Sequence, residues 1–259
     1  MCGIAGIVGL NNTPVIMLEE RLKKMGSMLI HRGPDQKGFY ISNDHVVGIF
    51  NNRLSIVGVE QKIKLPVRSS DENYVLSFNG EIYNHKKLRK QLIAEGCKFT
   101  SCTDTEVLYN GLVSSGLDYL KYLDGMWGFA FVDQNKKFFY LSRDVLGEKP
   151  LYYYIGKKEL IFASEVSAIL AIMEDDPEWD DEAIVCSFQY RSAPPGKTLI
   201  KGINRLHGGE TMTVNYKDNR ISTGFYNQLN TERWKWFFDK NPSFEEVIEL
   251  YEQEIYSSC

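Results

Sequence analysis

Cys2 is the residue of this 259-residue chain whose type and position most directly imply chemistry. The chain opens MCGIAGIVG, so removal of the initiator methionine leaves a thiol and a free α-amine on one residue. An α-amine has an ordinary pKa of about 7.7–8.0 and therefore accepts protons near neutrality. A cysteine attacks as its thiolate, with an ordinary pKa of about 8.5. An amine that takes the thiol proton, directly or through water, makes such a residue nucleophile and base at once. The small side chain at position 2 permits methionine removal, and Gly3 is expected to leave room for substrate beside the thiol.

Other chemistries find little support. The four histidines show no HExxH-type spacing, and the five cysteines (Cys2, Cys97, Cys102, Cys186, Cys259) include no CxxC pair. Neither a metal site nor a disulfide framework is expected. No GxxxxGK loop is present, so no ATP site is expected in this chain. Taken alone, Asn79-Gly80 is a hairpin-turn signal, and Asp104 complements the dipole at the start of a helix. Lys+Arg 30 against Asp+Glu 34 gives a net charge of -4 with no long basic tract, which excludes nucleic acid and anionic membrane as expected partners. No run approaches the roughly 20 apolar residues of a membrane helix, and no charged leader precedes an apolar core; a cytoplasmic protein with a small ligand is expected.

The elements that must position Cys2 follow from periodicity. At 43% hydrophobic residues the chain can fill one large core. Residues 15–30 place Leu18, Leu22, Met25 and Leu29 on one helical face. A second helix is expected from Lys86 to Glu95, with Asn84 as N-cap, Leu88, Leu92 and Ile93 inward, and Gly96 as the stop. A third begins at TDTEVL, where Thr103 and Glu106 have capping-box spacing, and ends near Gly116. Between the helices run β-branched and aromatic segments such as YVLSFNGEIY, WGFAFVD and KFFYLSRD, separated by short polar turns, which point to antiparallel hairpins. After residue 171 the pattern is interrupted by MEDDPEWDD and SAPPGK. The chain closes with a helix in which Ser243 and Glu246 have capping-box spacing and Phe244, Val247, Ile248, Tyr251 and Ile255 share a face that calls for a partner surface.

Six blocks then occur in order: HRGPD (His31–Asp35), NRLSIV (Asn52–Val57), FNGEIYN (Phe78–Asn84), TDTEVL (Thr103–Leu108), LDGMWGFAFVD (Leu123–Asp133) and RDVLGEKPLYY (Arg143–Tyr153). Together they resemble the class II glutamine amidotransferases, above all the glutaminase domain of asparagine synthetase. The resemblance covers residues 2–226, with 227–259 as a linker and amphipathic helix leading towards an absent synthetase domain or partner. It implies an α+β fold, the four-layer αββα sandwich of N-terminal-nucleophile hydrolases, with two antiparallel sheets between helix layers.

The resemblance also implies roles. Cys2 attacks the γ-carboxamide of L-glutamine, and Asn79 and Gly80 form the oxyanion hole. Arg53 grips the substrate α-carboxylate, a task suited to a guanidinium fork, while Leu54, Ser55, Ile56 and Val57 line the pocket. Glu81 and Asp104 bind the α-ammonium. His31 and Arg32 organise a loop near the site, and Arg143 and Asp144 form a structural pair. The implied products are glutamate, through a Cys2 thioester, and ammonia for an ATP-dependent synthetase domain or subunit. ATP and Mg are expected only there, because SSGLDYL (Ser114–Leu120) lacks the second glycine and final serine of the pyrophosphate loop of that domain, and Gly116 reads as a helix stop. The chain is expected to be either a truncated longer enzyme or a separate subunit, and a homodimer is compatible with it. Two alternatives stand beside this one: ammonia supplied to another acceptor, such as a sugar or a natural-product acid, and a catalytically silent partner-binding module.

Overall fold

Alternation along GIAGIVG sets the architecture. In β1 (Gly3–Gly9), Ile4 and Val8 face one apolar core while Ala5 and Ile7 face another. A strand apolar on both faces must be covered on both sides. The computed structural model describes residues 2–54, 64–174, 176–226, 235 and 237–258, divided into the units Met1–Asn227 and Gln228–Cys259.

The first unit holds two six-stranded sheets, antiparallel throughout. One combines β1 with β2 (Gln36–Ile41), β3 (Val47–Arg53), β8 (Tyr152–Ile155), β9 (Glu159–Ala163) and β10 (Ile203–Arg205), in the order β10-β8-β9-β1-β3-β2. The other combines β4 (Val67–Arg68), β5 (Tyr74–Ile82), β6 (Gly125–Asp133), β7 (Phe138–Arg143), β11 (Glu210–Asn215) and β12 (Arg220–Phe225), in the order β12-β11-β7-β6-β5-β4. Ile4, Ile49, Val75, Val132, Leu141 and Phe162 fill the space between the sheets. On the outer face of the first sheet, α1 (Leu18–Met28) and a short helix α4 (Val166–Leu170) cover Ala5, Ile7 and Phe50. On the outer face of the second, α2 (His85–Ala94) and α3 (Asp104–Ser115) cover Leu76, Phe78 and Trp127. The result is the four-layer αββα sandwich.

Local sequence accounts for most helix limits. In α1, Leu18, Leu22 and Met25 are buried, each contributing about 1.5–3 kcal/mol. Asn84 stands at the start of α2 but its side chain does not cap; it donates to the Tyr122 carbonyl at 2.8 Å and accepts from Asp124 N–H at 3.2 Å. Leu88 and Leu92 point inward, whereas Ile93, expected inward, is 51% exposed. It lies one residue further round the helix, past the stripe that meets the sheet. Thr103 caps α3 by accepting Glu106 N–H at 3.4 Å. The Glu106 carboxylate reaches further back than a capping box, taking the N–H groups of Thr100 and Ser101, each at 2.6 Å. Gly116, with φ of 60°, ends the helix.

Beyond α5 (Asp181–Tyr190), which Asp180 caps by accepting Ala183 N–H at 3.0 Å, the second unit carries α6 (Phe244–Ser258). Here the capping box is reciprocal: Ser243 N–H donates to Glu246 at 2.8 Å and Glu246 N–H to Ser243 Oγ at 3.2 Å. Phe244 and Tyr251 of this helix are exposed.

Candidate active site

Cys2 immediately precedes β1, whose Gly3 stands opposite Asn52 of β3. The side chain that Gly3 lacks does not make room for substrate, as the sequence suggested. A Cβ there would lie 2.5 Å from Asn52 Oδ1 and 3.2 Å from Leu29 Cβ, so the space is taken by protein. Asn52 in turn donates to the Leu29 carbonyl at 2.5 Å, and the end of α1 is thereby anchored beside Cys2.

The HRGPD block works on backbone. Buried Arg32 donates from Nε to the Cys2 carbonyl at 3.0 Å and from Nη1 to Glu165 Oε1 at 3.0 Å. His31 Nε2 meets the same Glu165 oxygen at 2.8 Å. A Cβ on Gly33 would lie 2.6 Å from the Arg53 nitrogen, and Asp35 N–H donates to the Arg53 carbonyl at 3.2 Å. One loop thus holds the main chain at both Cys2 and Arg53.

Asn79 and Gly80 lie inside β5, opposite Gly128 and Trp127 of β6. The Asn-Gly pair is therefore part of a continuous ladder and not a turn. A Cβ on Gly80 would overlap the Met126 carbonyl oxygen and sit 2.8 Å from Trp127 Cα, so only glycine permits this approach. Asn79 is 1% exposed, and its Nδ2 has no hydrogen-bond partner. A buried donor left without a partner costs about 1–3 kcal/mol, which marks this amide as held for something other than the fold. Asp104 joins α3 to the end of β5 by accepting Ile82 N–H at 3.0 Å and Thr105 N–H at 2.7 Å.

These elements converge. Cys2, Arg53, Leu54, Asn79, Gly80, Glu81 and Asp104 line one pocket; Ser55, Ile56 and Val57 lie outside the described residues. Burial pushes the Cys2 thiol up, while a backbone hydrogen bond at Leu54 and the Arg53 charge act in the opposite direction. The thiol lies 3.9 Å from the Leu54 carbonyl, to which it donates. Cationic Arg53 and anionic Glu81 and Asp104 in one cavity complement a zwitterion.

Among the lining residues to which the sequence assigned no role at the site are the polar Asn51 and Lys149. The polar pair Asn51-Asn52 inside an apolar strand was a usable signal, because buried side-chain amides require assigned partners. Lys149 is brought in by the turn after β7. Arg143 donates to the carbonyls of Lys149 at 2.6 Å, Leu206 at 2.7 Å and Gly147. Asp144 accepts the N–H groups of Glu148 at 2.8 Å and Lys149 at 3.0 Å. Arg143 and Asp144 bind the turn rather than forming the direct pair expected of them.

Among the described residues no helix is long and apolar enough to cross a membrane, and no cluster of three or more His, Cys, Asp or Glu is poised to hold a metal. The pattern of a family described as "Glutamine amidotransferase domain" matches residues 1–226. Asparagine synthetase [glutamine-hydrolyzing] 1 of Bacillus subtilis is 35% identical over 217 residues, covering 83% of this chain and 33% of its own length. Putative asparagine synthetase [glutamine-hydrolyzing] 2 of Methanocaldococcus jannaschii is 31% identical over 271 residues, covering 96% and 50%. The chain thus spans between 33% and 50% of these relatives' lengths. In fold it is similar to glutamine phosphoribosylpyrophosphate amidotransferase from B. subtilis, with a TM-score of 0.61 at 19% identity, over 88% of this chain and 50% of that one.

Proposed function

Since the chain belongs to the glutamine amidotransferase domain family, we propose that it hydrolyses L-glutamine to glutamate and ammonia with Cys2 as nucleophile. The observation that carries this is the buried, partnerless Nδ2 of Asn79 lining the pocket that also holds Cys2. A donor fixed in advance and left without a protein acceptor is what an oxyanion requires.

Arg53 binds the α-carboxylate of glutamine, and Asp104 and Glu81 bind its α-ammonium. The side-chain carboxamide is thereby directed to Cys2. Because burial pushes the thiol pKa up, attack is served by a base, and once Met1 is removed the α-amine of Cys2 is that base. Sγ bonds to the carboxamide carbon, and the resulting oxyanion is received by Asn79 Nδ2 and the Gly80 N–H. Collapse breaks the carbon–nitrogen bond, and the α-ammonium returns its proton to the leaving ammonia. Water, deprotonated by the same amine, then cleaves the γ-glutamyl thioester. Gly80 lies close against Met126, so the oxyanion side of the pocket has little freedom to reorganise.

The relatives' names support an asparagine synthetase-like domain or subunit as the ammonia acceptor; its dependence on ATP, with ATP and Mg bound there and not in this chain, is part of the same proposal. A cytoplasmic setting belongs to the same proposal. Glutamate release by the purified chain, beside Cys2→Ala and with Met1 removal checked by intact mass, tests the chemistry. Release abolished by the substitution is expected; equal release from both proteins removes Cys2 from the reaction.

A further inference from the structure

The pairing of β9 with β1 ends at Ala163 opposite Ala5, yet the chain after β9 keeps hold of the residues that lead to the nucleophile. Fully buried Ser164 binds both backbone groups of Ile4: its Oγ accepts Ile4 N–H at 3.0 Å and its N–H donates to the Ile4 carbonyl at 2.8 Å. Glu165 continues the series one step further. Its Oε1 accepts from Arg32 Nη1 at 3.0 Å, and Arg32 Nε donates to the Cys2 carbonyl at 3.0 Å. Main chain serves Ala5, a hydroxyl serves Ile4, and a carboxylate acting through a guanidinium serves Cys2.

We propose that Glu165 is a positioning residue for the Cys2 nucleophile, fixing through Arg32 the carbonyl of the residue that carries both thiol and α-amine. The inference rests on the amidotransferase reading above. Its physical basis is that a first residue has no preceding peptide plane, so rotation about its Cα–C bond is limited by what its carbonyl is tied to. A guanidinium is a planar fork, and a carboxylate on one arm sets the plane in which the other nitrogens donate. Thiol and amine share the Cα that this tie immobilises.

Charge gives a second, separable effect. Arg32 carries a positive charge beside Cys2, and Glu165 offsets it. The groups facing Glu165 are Arg32, His31 and, at 3.4 Å, the Ser167 hydroxyl; the charges acting on the Cys2 thiol are those of the chain's amino terminus, Arg53 and Asp104, and Arg32 is brought near by its bond to the Cys2 carbonyl. With the carboxylate neutralised, the field at Cys2 becomes more positive. A more positive field favours both the neutral amine and the thiolate, so both titrate at lower pH.

The test uses the chain with Met1 removed, as wild type, Glu165→Ala and Glu165→Gln. In glutamine hydrolysis, Glu165→Ala is expected to lower kcat about tenfold or more with KM changed by no more than about twofold, in line with the cost of misplacing a reacting group. Glu165→Gln keeps the size and one acceptor oxygen, so it is expected to recover most of kcat while the acid limb of kcat/KM moves to lower pH. The rate of Cys2 alkylation by iodoacetamide against pH, read by intact mass, needs no turnover and is expected to move in the same direction. Wild-type kcat in Glu165→Ala, unchanged pH profiles in Glu165→Gln, or losses that vanish when rates are expressed per folded molecule would each overturn the proposal. If Glu165→Ala does not fold, Glu165→Gln decides the matter alone. Absence of Cys2-dependent glutamate release from wild type overturns the amidotransferase reading, whereas an unmoved alkylation profile overturns the role of Glu165.

Discussion

The side-chain amide of Asn51 donates to the Gly3 carbonyl across 3.2 Å, and so one residue of β3 steadies the backbone directly after Cys2. Its oxygen faces the Phe78 N–H at 3.5 Å, one position before Asn79. The strand that follows Cys2 and the strand that carries Asn79 belong to different sheets, and this buried amide spans the gap between them. Asn51→Asp removes the donor and places a carboxylate against the Gly3 carbonyl. A stability loss of about 1–3 kcal/mol is expected from the broken buried network, together with lower glutaminase kcat. Thermal denaturation and glutamate release on the same preparation measure both.

Asn79→Ala should separate function from folding. The Nδ2 of Asn79 has no protein partner, so its removal breaks no internal hydrogen bond from that donor. Loss of an oxyanion donor typically lowers kcat by about 100- to 1000-fold. The expected outcome is that fall in kcat with KM for glutamine nearly unchanged and a melting temperature no lower than a simple cavity would produce. A variant that melts far below wild type would assign the amide a structural role.

Gly80→Ala is expected to fail differently, because the added methyl overlaps the Met126 carbonyl oxygen across the β5–β6 ladder. Backbone can yield only by breaking that pairing. Both stability and activity should fall together, and amide hydrogen exchange should quicken around residues 126–128.

Acid sensitivity should localise to the start of α3. Burial opposes ionisation of Glu106, yet hydrogen bonds from the Ser101 side chain and from the Thr100 and Ser101 N–H groups hold its carboxyl below the usual range. A group whose folded pKa is depressed contributes its full stabilisation above the unfolded value, about 4.3 for glutamate, and loses it as pH falls through the folded value. Wild type should therefore lose melting temperature below about pH 4.3 more steeply than Glu106→Gln, which is already lower at neutral pH. Parallel curves for the two proteins would remove Glu106 from the acid response.

Much of the fold was legible where local signals and burial agree. The stripe of Leu18, Leu22 and Met25 and the Thr103 cap are set by residues a few positions apart, and the structure follows them. The pocket was legible only through ordered motifs, because Cys2, Arg53, Asn79 and Asp104 meet across two sheets and no periodicity encodes that meeting. Where local signals misled, a tertiary partner took precedence. Asn79-Gly80 carries a turn signature but sits in a ladder with Trp127 and Gly128, and Gly3 is small because Asn52 fills its space. Glu165, 133 residues from Arg32 in sequence, gave no local sign at all.

The turn after β7 has a mechanical implication. Leu146 stands 78% exposed near its apex, while Lys149, three residues on, lines the pocket. Between them every flank is gripped by Arg143 or Asp144, and Gly147, at φ of 67°, packs against the Arg143 guanidinium. Such a segment has no slack in which to absorb a push. A rigid turn of this kind ties the exposed Leu146 side chain to the place of Lys149 in the pocket wall.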